Sequence, residues 1–196
     1  MNVRPLHFCD VTVEGAHWPV FGWAIEREAD TILVDTGMID STPELDAQWQ
    51  PVLRAWAELD TVSSVINTHL HFDHCGGNRR FAGVPTYVQR AELAASAGPD
   101  YVTEWARFPG ATYVELDGDA DLFPGISVLA TPGHTVGHQA VVVETDDGRV
   151  VLGGDVTYSM RELIDGATDS IRRIHDLRPH LVYLAHHERP WAPEYA

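Results

Sequence analysis

No stretch limits what this chain can fold into more than Thr68–Asn78, which reads Thr-His-Leu-His-Phe-Asp-His-Cys-Gly-Gly-Asn. His69, His71, Asp73 and His74 come just after an apolar, β-branched run, Val62–Ile66. Imidazole nitrogens and carboxylate oxygens are the donors with which a chain binds first-row metals without thiolates. On extended backbone His69, His71 and Asp73 project to one side. A turn beginning near Phe72 makes Asp73 and His74 diverge, and Gly76-Gly77 supply the backbone freedom for a sharp change of direction. One loop can therefore offer His69 and His71 to one metal and Asp73 and His74 to a second. From this chain's own His and Asp frequencies, about 0.003 chance matches to His-x-His-x-Asp-His are expected, so coincidence is a poor account of the pattern.

The 196 residues suffice for one domain, 1–196, with a core that needs no disulfide or metal staple. Hydrophobic residues at 44% and charged residues at 21% are the balance of a soluble globular chain. No apolar run approaches the length of a membrane span. Met1–Asp10 lacks the basic head and long apolar core of a secretory signal. Cys9 and Cys75 are too few for a disulfide framework, and a cytoplasmic location is the default expectation. Cys75 adjoins the histidines, but the histidines and carboxylates suffice as ligands without it. A formal net charge of −16 argues against nucleic acid or an anionic membrane as partner. All 13 basic residues are arginine, so the ammonium group with which many enzymes hold a carboxylate or phosphate is missing.

Along the chain, Leu6–Val13, Val20–Glu26 and Thr31–Val34 read as strands. Asp35, at the end of the third, is either a turn former or a carboxylate that orients a ligand histidine. Ser41-Thr42-Pro43-Glu44 is a helix start with a Ser41/Glu44 capping box. Leu45, Trp49, Val52, Leu53, Trp56 and Leu59 then recur at helical spacing, with Pro51 dividing the helix in two. Further strands are expected over Val62–Thr68, Thr86–Val88, Ala111–Leu116, Ile126–Ala130 and Leu181–Ala185, with Asp117–Asp121 a solvated acidic turn. Gln139–Glu144 and Arg149–Leu152 form a hairpin across Asp146-Asp147-Gly148. Helices are expected from Gln89 to Gly98-Pro99 and over Thr168–Leu177. The alternation makes an α/β class. Asp35, His69, His134, Asp155 and His186 all follow strand ends, as when loops at one rim of a sheet scaffold assemble a site.

Three pieces complete the His cluster: Thr131-Pro-Gly-His-Thr-Val-Gly-His138, Gly153-Gly-Asp155 and Ala185-His186. In this order the elements resemble the metallo-β-lactamase superfamily, and the resemblance runs from Thr31-Ile-Leu-Val-Asp-Thr-Gly37 to His186. It implies an αβ/βα sandwich of two packed mixed β-sheets with outer helices and a dinuclear metal site at one edge. Carried over by position, His69, His71 and His134 would hold one ion, Asp73, His74 and His186 the other, and Asp155 would bridge them. His138 and His187 would stand behind the ligands or at the surface. Zinc is the first choice of ion, with iron, manganese or cobalt as alternatives. The stretches Pro19-Val-Phe, Ile32–Met38, His69–Asn78, Val88-Gln-Arg-Ala-Glu92 and Thr131–Gln139 are similar to the N-acyl-homoserine lactonase branch. Tyr158 falls where those lactonases carry a tyrosine that contacts the substrate carbonyl. The chain departs from that branch in its short Glu14–Trp18 and Ile39–Asp60 segments and in carrying His187 where an aspartate is common.

The expected reaction is therefore opening of a lactone or related ester by a metal-activated water. Tyr158 would stabilise the oxyanion, and Asp73 would orient the water and pass its proton to the leaving oxygen. The partner is a small-molecule lactone or ester, and a homodimer is compatible with the resemblance. A glutathione thioester hydrolase shares the metal core but usually draws on basic residues to grip the glutathione, whereas this chain is acidic and lysine-free. A β-lactamase generally does not bridge its metals with an aspartate, and a diiron redox relative would call for a flavin domain. A metal-stabilised binding module is the non-enzyme alternative, against which the intact set of seven ligands argues.

Overall fold

In the computed structural model, all residues except 29, 57, 60 and 196 are described. The chain opens with a long hairpin, β1 (Asn2–Val13) and β2 (Ala16–Glu26), turned by Glu14 and Gly15 with φ of 50° and 80°. Positive φ at both central residues suits the right-handed twist of paired strands. Strands β3 (Thr31–Val34), β4 (Val52–Leu53), β5 (Val62–Ile66), β6 (Pro85–Gln89) and β7 (Thr112–Leu116) complete a seven-stranded sheet in the order β4-β1-β2-β3-β5-β6-β7. From β3 to β7 the pairing is parallel. A second sheet runs β12-β11-β10-β9-β8, built from β8 (Ala120–Phe123), β9 (Ile126–Ala130), β10 (Gln139–Thr145), β11 (Gly148–Leu152) and β12 (Leu181–Tyr183). Both sheets are mixed, since β12 joins the otherwise antiparallel second sheet in parallel with β11.

Alternation along the strands explains how the sheets pack. In β10, Val141 and Val143 face the first sheet and meet Trp23, Ile25, Ile32, Val34 and Ile66. Ala140 and Val142 point the other way, onto Leu163, Ile171 and Ile174 of the covering helices α5 (Met160–Asp165) and α6 (Asp169–Asp176). With side chains alternating at period two, one strand serves two cores. The outer face of the first sheet is covered by Trp56, Leu59, Phe81 and Val84. Near the rim, α1 (Pro43–Trp49), α2 (Phe72–Cys75) and α4 (Thr103–Ala106) add Leu45, Cys75 and Trp105 to a further core with Val11, Val20 and Val88. The short α3 (Arg90–Ala95) follows β6 directly. The result is the expected two-sheet sandwich with helices outside. Among the described residues no helix is long and apolar enough to cross a membrane.

The structure departs from the sequence expectations in instructive places. The helix after Thr42 stops at Trp49, with Gln50 left-handed at φ 44°, and does not resume among the described residues. Pro51 lacks the amide hydrogen that a helix needs and disfavours helical backbone in the residue before it. Val52 and Leu53 pair with the edge of β1 instead, and Trp56 stacks on Phe8. Thr42, not Ser41, caps α1, accepting from the Leu45 amide at 3.3 Å. The acidic Asp117–Asp121 turn runs into β8, which the charges concealed. The strand forms because Pro124-Gly125 turns it back onto β9. Helix α3 ends sooner than expected, and Leu181–Ala185 is strand only to Tyr183.

Candidate metal centre

Every polar side chain of interest sits just beyond the end of a strand. β5 ends at Ile66, and the chain continues without regular structure, bending at Thr68 and at His71 (φ −65°, ψ 158°), before the single turn of α2 begins. His69 and His71 come to stand with ring centroids 4.7 Å apart, and the helical turn sets Asp73 and His74 on the other side of His69, with the His74 ring centroid 4.1 Å from that of His69. β9 leads into the Thr131–His138 turn with His134 at its tip, closed by the Thr131 amide donating to the His138 carbonyl at 2.9 Å. Asp155 follows β11 through Gly153-Gly154. Gly154 is left-handed at φ 52°, and a Cβ there would lie 2.7 Å from the Thr68 hydroxyl oxygen, so the Asp155 loop packs directly on the histidine loop. His186 follows β12.

These segments bring the seven residues together. His69 Nε2, His71 Nδ1 and His134 Nε2 approach one another at 2.9–3.1 Å. Asp73, His74 and His186 form a second group, in which Asp73 Oδ2 lies 3.7 Å from His74 Nε2 and 3.8 Å from His186 Nε2. Asp155 lies between them, with Oδ2 3.2 Å from His186 Nε2 and 3.6 Å from His134 Nε2, and Oδ1 3.4 Å from His74 Nε2.

Hydrogen bonds behind this constellation decide which ring nitrogen keeps its lone pair. Asp35 Oδ2 accepts from His74 Nδ1 at 2.9 Å and from the Thr68 hydroxyl at 2.7 Å. Having given its hydrogen to Asp35, the Thr68 oxygen accepts from His69 Nδ1 at 3.1 Å. The Pro19 carbonyl, which can only accept, takes the Nδ1 hydrogen of His186 at 2.9 Å. In the neutral form of each ring Nε2 is thereby left as an acceptor aimed inward. Asp35 is thus a carboxylate that orients histidines, one of the two roles open to it in the sequence. His138 is fully buried: Nδ1 donates to the Thr131 carbonyl, and Nε2 accepts from the Asp155 backbone amide at 3.1 Å, fixing where Asp155 stands. His187 binds the Tyr158 carbonyl at 2.9 Å. Cys75 turns away, its thiol donating to the Leu70 carbonyl at 3.3 Å.

Electrostatics follow the same division. Burial holds His69 well below the ordinary imidazole value, lowers His71, and brings His134 down to about 4. These rings are neutral at pH 7, with lone pairs to give. Burial works against charging His74 and His186 too, but there the carboxylates prevail, Asp155 first, and both stand above the ordinary value. Asp155 is ionised despite its burial because His186 and His74 hold its carboxyl well below the usual range. The negative potential that attracts protons to that side attracts a divalent cation with twice the charge.

The donors fit metal ions. Three imidazole nitrogens within 3.1 Å of one another cannot satisfy each other by hydrogen bonding once each carries its hydrogen on the far side. His74 Nε2 and Asp155 Oδ1 are both buried without a hydrogen-bond partner, facing each other across 3.4 Å. Orphaned buried polar atoms are costly unless something bonds both.

A cleft of about 670 Å³ opens onto this group, lined by the apolar Trp18, Leu45, Trp49 and Phe72 and by Asp73, His134, Asp155, Tyr158 and His186. Tyr158 is exposed, and its hydroxyl lies 3.1 Å from His134 Nδ1. Trp18 packs edge-on against the Tyr158 ring at 5.3 Å and against His186 at 5.7 Å. Trp18 was not legible as part of the site, because a lone tryptophan carries no spacing signal, and nothing within the Thr68–Asn78 stretch singled out Thr68 as a partner of Asp35 and His69.

Fold and site define an α/β/β/α protein with a rim of converging metal-binding donors. The profile of the metallo-beta-lactamase superfamily matches residues 16–188, and the chain belongs to that superfamily. An N-acyl homoserine lactonase from Bacillus sp is 35% identical over 162 residues, covering 72% of this chain; the match spans 65% of that protein's length. A hydroxyacylglutathione hydrolase from Synechococcus sp. is 32% identical over 169 residues, covering 79% of this chain and 62% of its own. The solved structure of an N-acyl homoserine lactone hydrolase, with N-hexanoyl-L-homoserine at its catalytic metal center, superposes with a TM-score of 0.79 at 28% identity, covering 95% of this chain and 94% of that one.

Proposed function

We propose that this chain is a dinuclear metal-dependent hydrolase that opens N-acyl-homoserine lactones or closely related lactones. The observation that carries the reading is the cleft, whose lining combines apolar Trp18, Leu45, Trp49 and Phe72 with converging nitrogens and carboxylates and the Tyr158 side chain. Such a lining suits a ligand that carries both an acyl chain and a reactive carbonyl. The likeness to lactonases in sequence and in structure supports the same reading.

In this proposal His69, His71 and His134 hold one ion, Asp73, His74 and His186 the other, and Asp155 lies between both. Zinc is the ion we assign first, and a nitrogen and oxygen donor set also accepts iron, manganese or cobalt. Two such ions polarise a carbonyl and make water acidic enough to attack it at neutral pH. The residues do the rest. With its Nε2 lone pair turned inward, His134 carries its hydrogen on Nδ1 and donates it to the Tyr158 oxygen 3.1 Å away. The Tyr158 hydrogen is then free to point into the cleft and meet the oxygen on which negative charge develops. Asp73 takes the proton released by the attacking water and returns it to the ring oxygen as the ester bond breaks, so lactone and water give the open hydroxy acid. The proposed setting is the cytoplasm, where the buried Cys9 and Cys75 remain thiols.

A glutathione thioester is the second reading, favoured by the Synechococcus relative. The cleft weighs against it. No arginine lines it, Asp73, Asp100 and Asp155 do, and the chain has no lysine to grip glutathione carboxylates. The test is kcat/KM under one metal loading for N-acyl-homoserine lactones of several lengths, simple γ-lactones, S-lactoylglutathione, a β-lactam and a phosphodiester. The acyl lactones should lead, with modest chain-length preference, because each methylene reaching the apolar wall adds only about 0.8 kcal/mol. A wide margin for the thioester would remove the lactone assignment and leave a metallohydrolase.

A further inference from the structure

Glu92 is completely buried in the first turn of α3, and no cation pairs with it among the described residues. Removing a carboxylate from water is costly, and the cost is offset here by three hydrogen bonds. Oε1 accepts from the Leu70 amide at 2.9 Å and from the Tyr101 hydroxyl at 3.0 Å, and Oε2 accepts from the Gly137 amide at 3.1 Å. All three donors belong to segments that form the site. Leu70 lies between His69 and His71. Gly137 lies between His134 and His138. Tyr101 packs its ring on His71 at 5.1 Å and lines the cleft.

The fit around Glu92 is tight on the Gly137 side. A Cβ at position 137 would stand 2.2 Å from the Glu92 nitrogen and 2.4 Å from its Cβ, so only glycine lets the His134 turn lie on α3. One carboxylate thus ties together two loops that are distant in sequence, each carrying part of the three-histidine group.

We propose that Glu92 is a positioning residue: it holds the His69–His71 segment and the His134–His138 turn at the separation that makes His69, His71 and His134 converge, and so sets metal affinity at that position. This rests on the dinuclear reading above and is independent of which substrate is hydrolysed. Among the hydrogen bonds and ion pairs of the described residues none joins Glu92 to Asp73, His74 or His186, so the second position is expected to respond much less.

The test is Glu92→Gln. The amide oxygen can still accept from Leu70 and Tyr101, but the amide NH2 then meets the Gly137 N–H, donor against donor. Zinc affinity is measured by competition with a chromogenic chelator, cobalt ligation by absorption spectroscopy, and thermal unfolding on the metal-free protein. Val143→Ala, a core variant between the sheets, serves as the comparator that loses stability only. Glu92→Gln should weaken one of two equivalents on the order of 10–100-fold, as for other groups that orient metal ligands, and alter the cobalt spectrum. Val143→Ala should keep both equivalents at wild-type affinity. Tyr101→Phe, which removes one donor without leaving a new one, should weaken the same equivalent to a smaller degree and covers the case in which Glu92→Gln does not fold. Wild-type affinity in both site variants overturns the proposal, as does an equal loss of metal in Val143→Ala. A wild-type protein that takes up no metal overturns the dinuclear reading beneath it.

Discussion

Thr68→Val is the sharpest probe of how the histidines are held. Valine keeps the shape of threonine, so packing against Gly154 survives, and the backbone amide of residue 68 still donates to Asp35 Oδ1 at 2.7 Å. What disappears is a single oxygen with two duties. It donates to the Asp35 carboxylate at 2.7 Å and accepts from His69 Nδ1 at 3.1 Å. A hydrogen bond to a charged group contributes about 1.5–3 kcal/mol, and a buried N–H left without a partner costs about 1–3 kcal/mol. Asp35 retains His74 and the Thr68 amide, so its share of the loss falls at the low end. A net destabilisation of about 2–4 kcal/mol is expected for the metal-free fold, or roughly 4–16 °C in Tm for a chain of this size.

His69 can recover by moving its hydrogen to Nε2, but that hydrogen then points at His71 and His134 and removes a lone pair from the three-histidine group. Either way metal affinity falls, on the order of 10–100-fold. Differential scanning calorimetry of the metal-free protein and chelator competition of the loaded protein read the two effects separately. Thr68→Ser, which keeps the oxygen, is the control and should retain most of the affinity. If Thr68→Val melts with the wild type and binds metal equally well, the Asp35–Thr68–His69 chain does not set the tautomer, and the account of the inward lone pairs is wrong.

Tyr158→Phe should lower kcat about 10–100-fold with little change in KM, as for one lost donor to an oxyanion among several stabilisers. Because Tyr158 is exposed, its Tm should stay at the wild-type value. Asp73→Asn should lower kcat far more than it changes KM, with metal content determined on the same sample because Asp73 also stands among the donors; a variant with both metals and full turnover would leave Asp73 without a role in proton transfer.

The parts of this molecule that could be read from sequence are those in which a residue's neighbours along the chain are also its neighbours in space. The His69–His74 run is such a case, as one short loop and one helical turn contain four of the seven converging side chains. The β10–β11 hairpin is another, since its valines alternate and its turn residues lie between them. Hidden features depend on contacts made at long range. The pairing of Val52–Leu53 with β1 offers no periodicity, and helical spacing pointed the wrong way because the same apolar residues can cover a sheet edge. The second strand of the β8–β9 pair carries an ordinary apolar pattern, while the first begins inside a run of aspartates. His138 and Glu92 look like surface residues in a list, yet both are fully buried because distant backbone amides come to meet them.

Those buried polar residues explain why a rim of loops can be this well defined. Asp35, Glu92 and Asp155 are nearly or fully inaccessible; Asp35 and Glu92 are satisfied by donors from other segments, and Asp155 is met at Oδ2 by His186 while its Oδ1 stays unpartnered. A carboxylate in such surroundings cannot drift without leaving donors unpaired at about 1–3 kcal/mol each, so the loops are fixed by polar contacts as firmly as the sheets are by apolar ones. The carboxylates also concentrate negative charge next to His74 and His186 in a chain that already carries a formal charge of −16. Bringing those groups together is unfavourable until positive charge joins them. Cation binding, site geometry and fold stability are therefore coupled through the same few side chains.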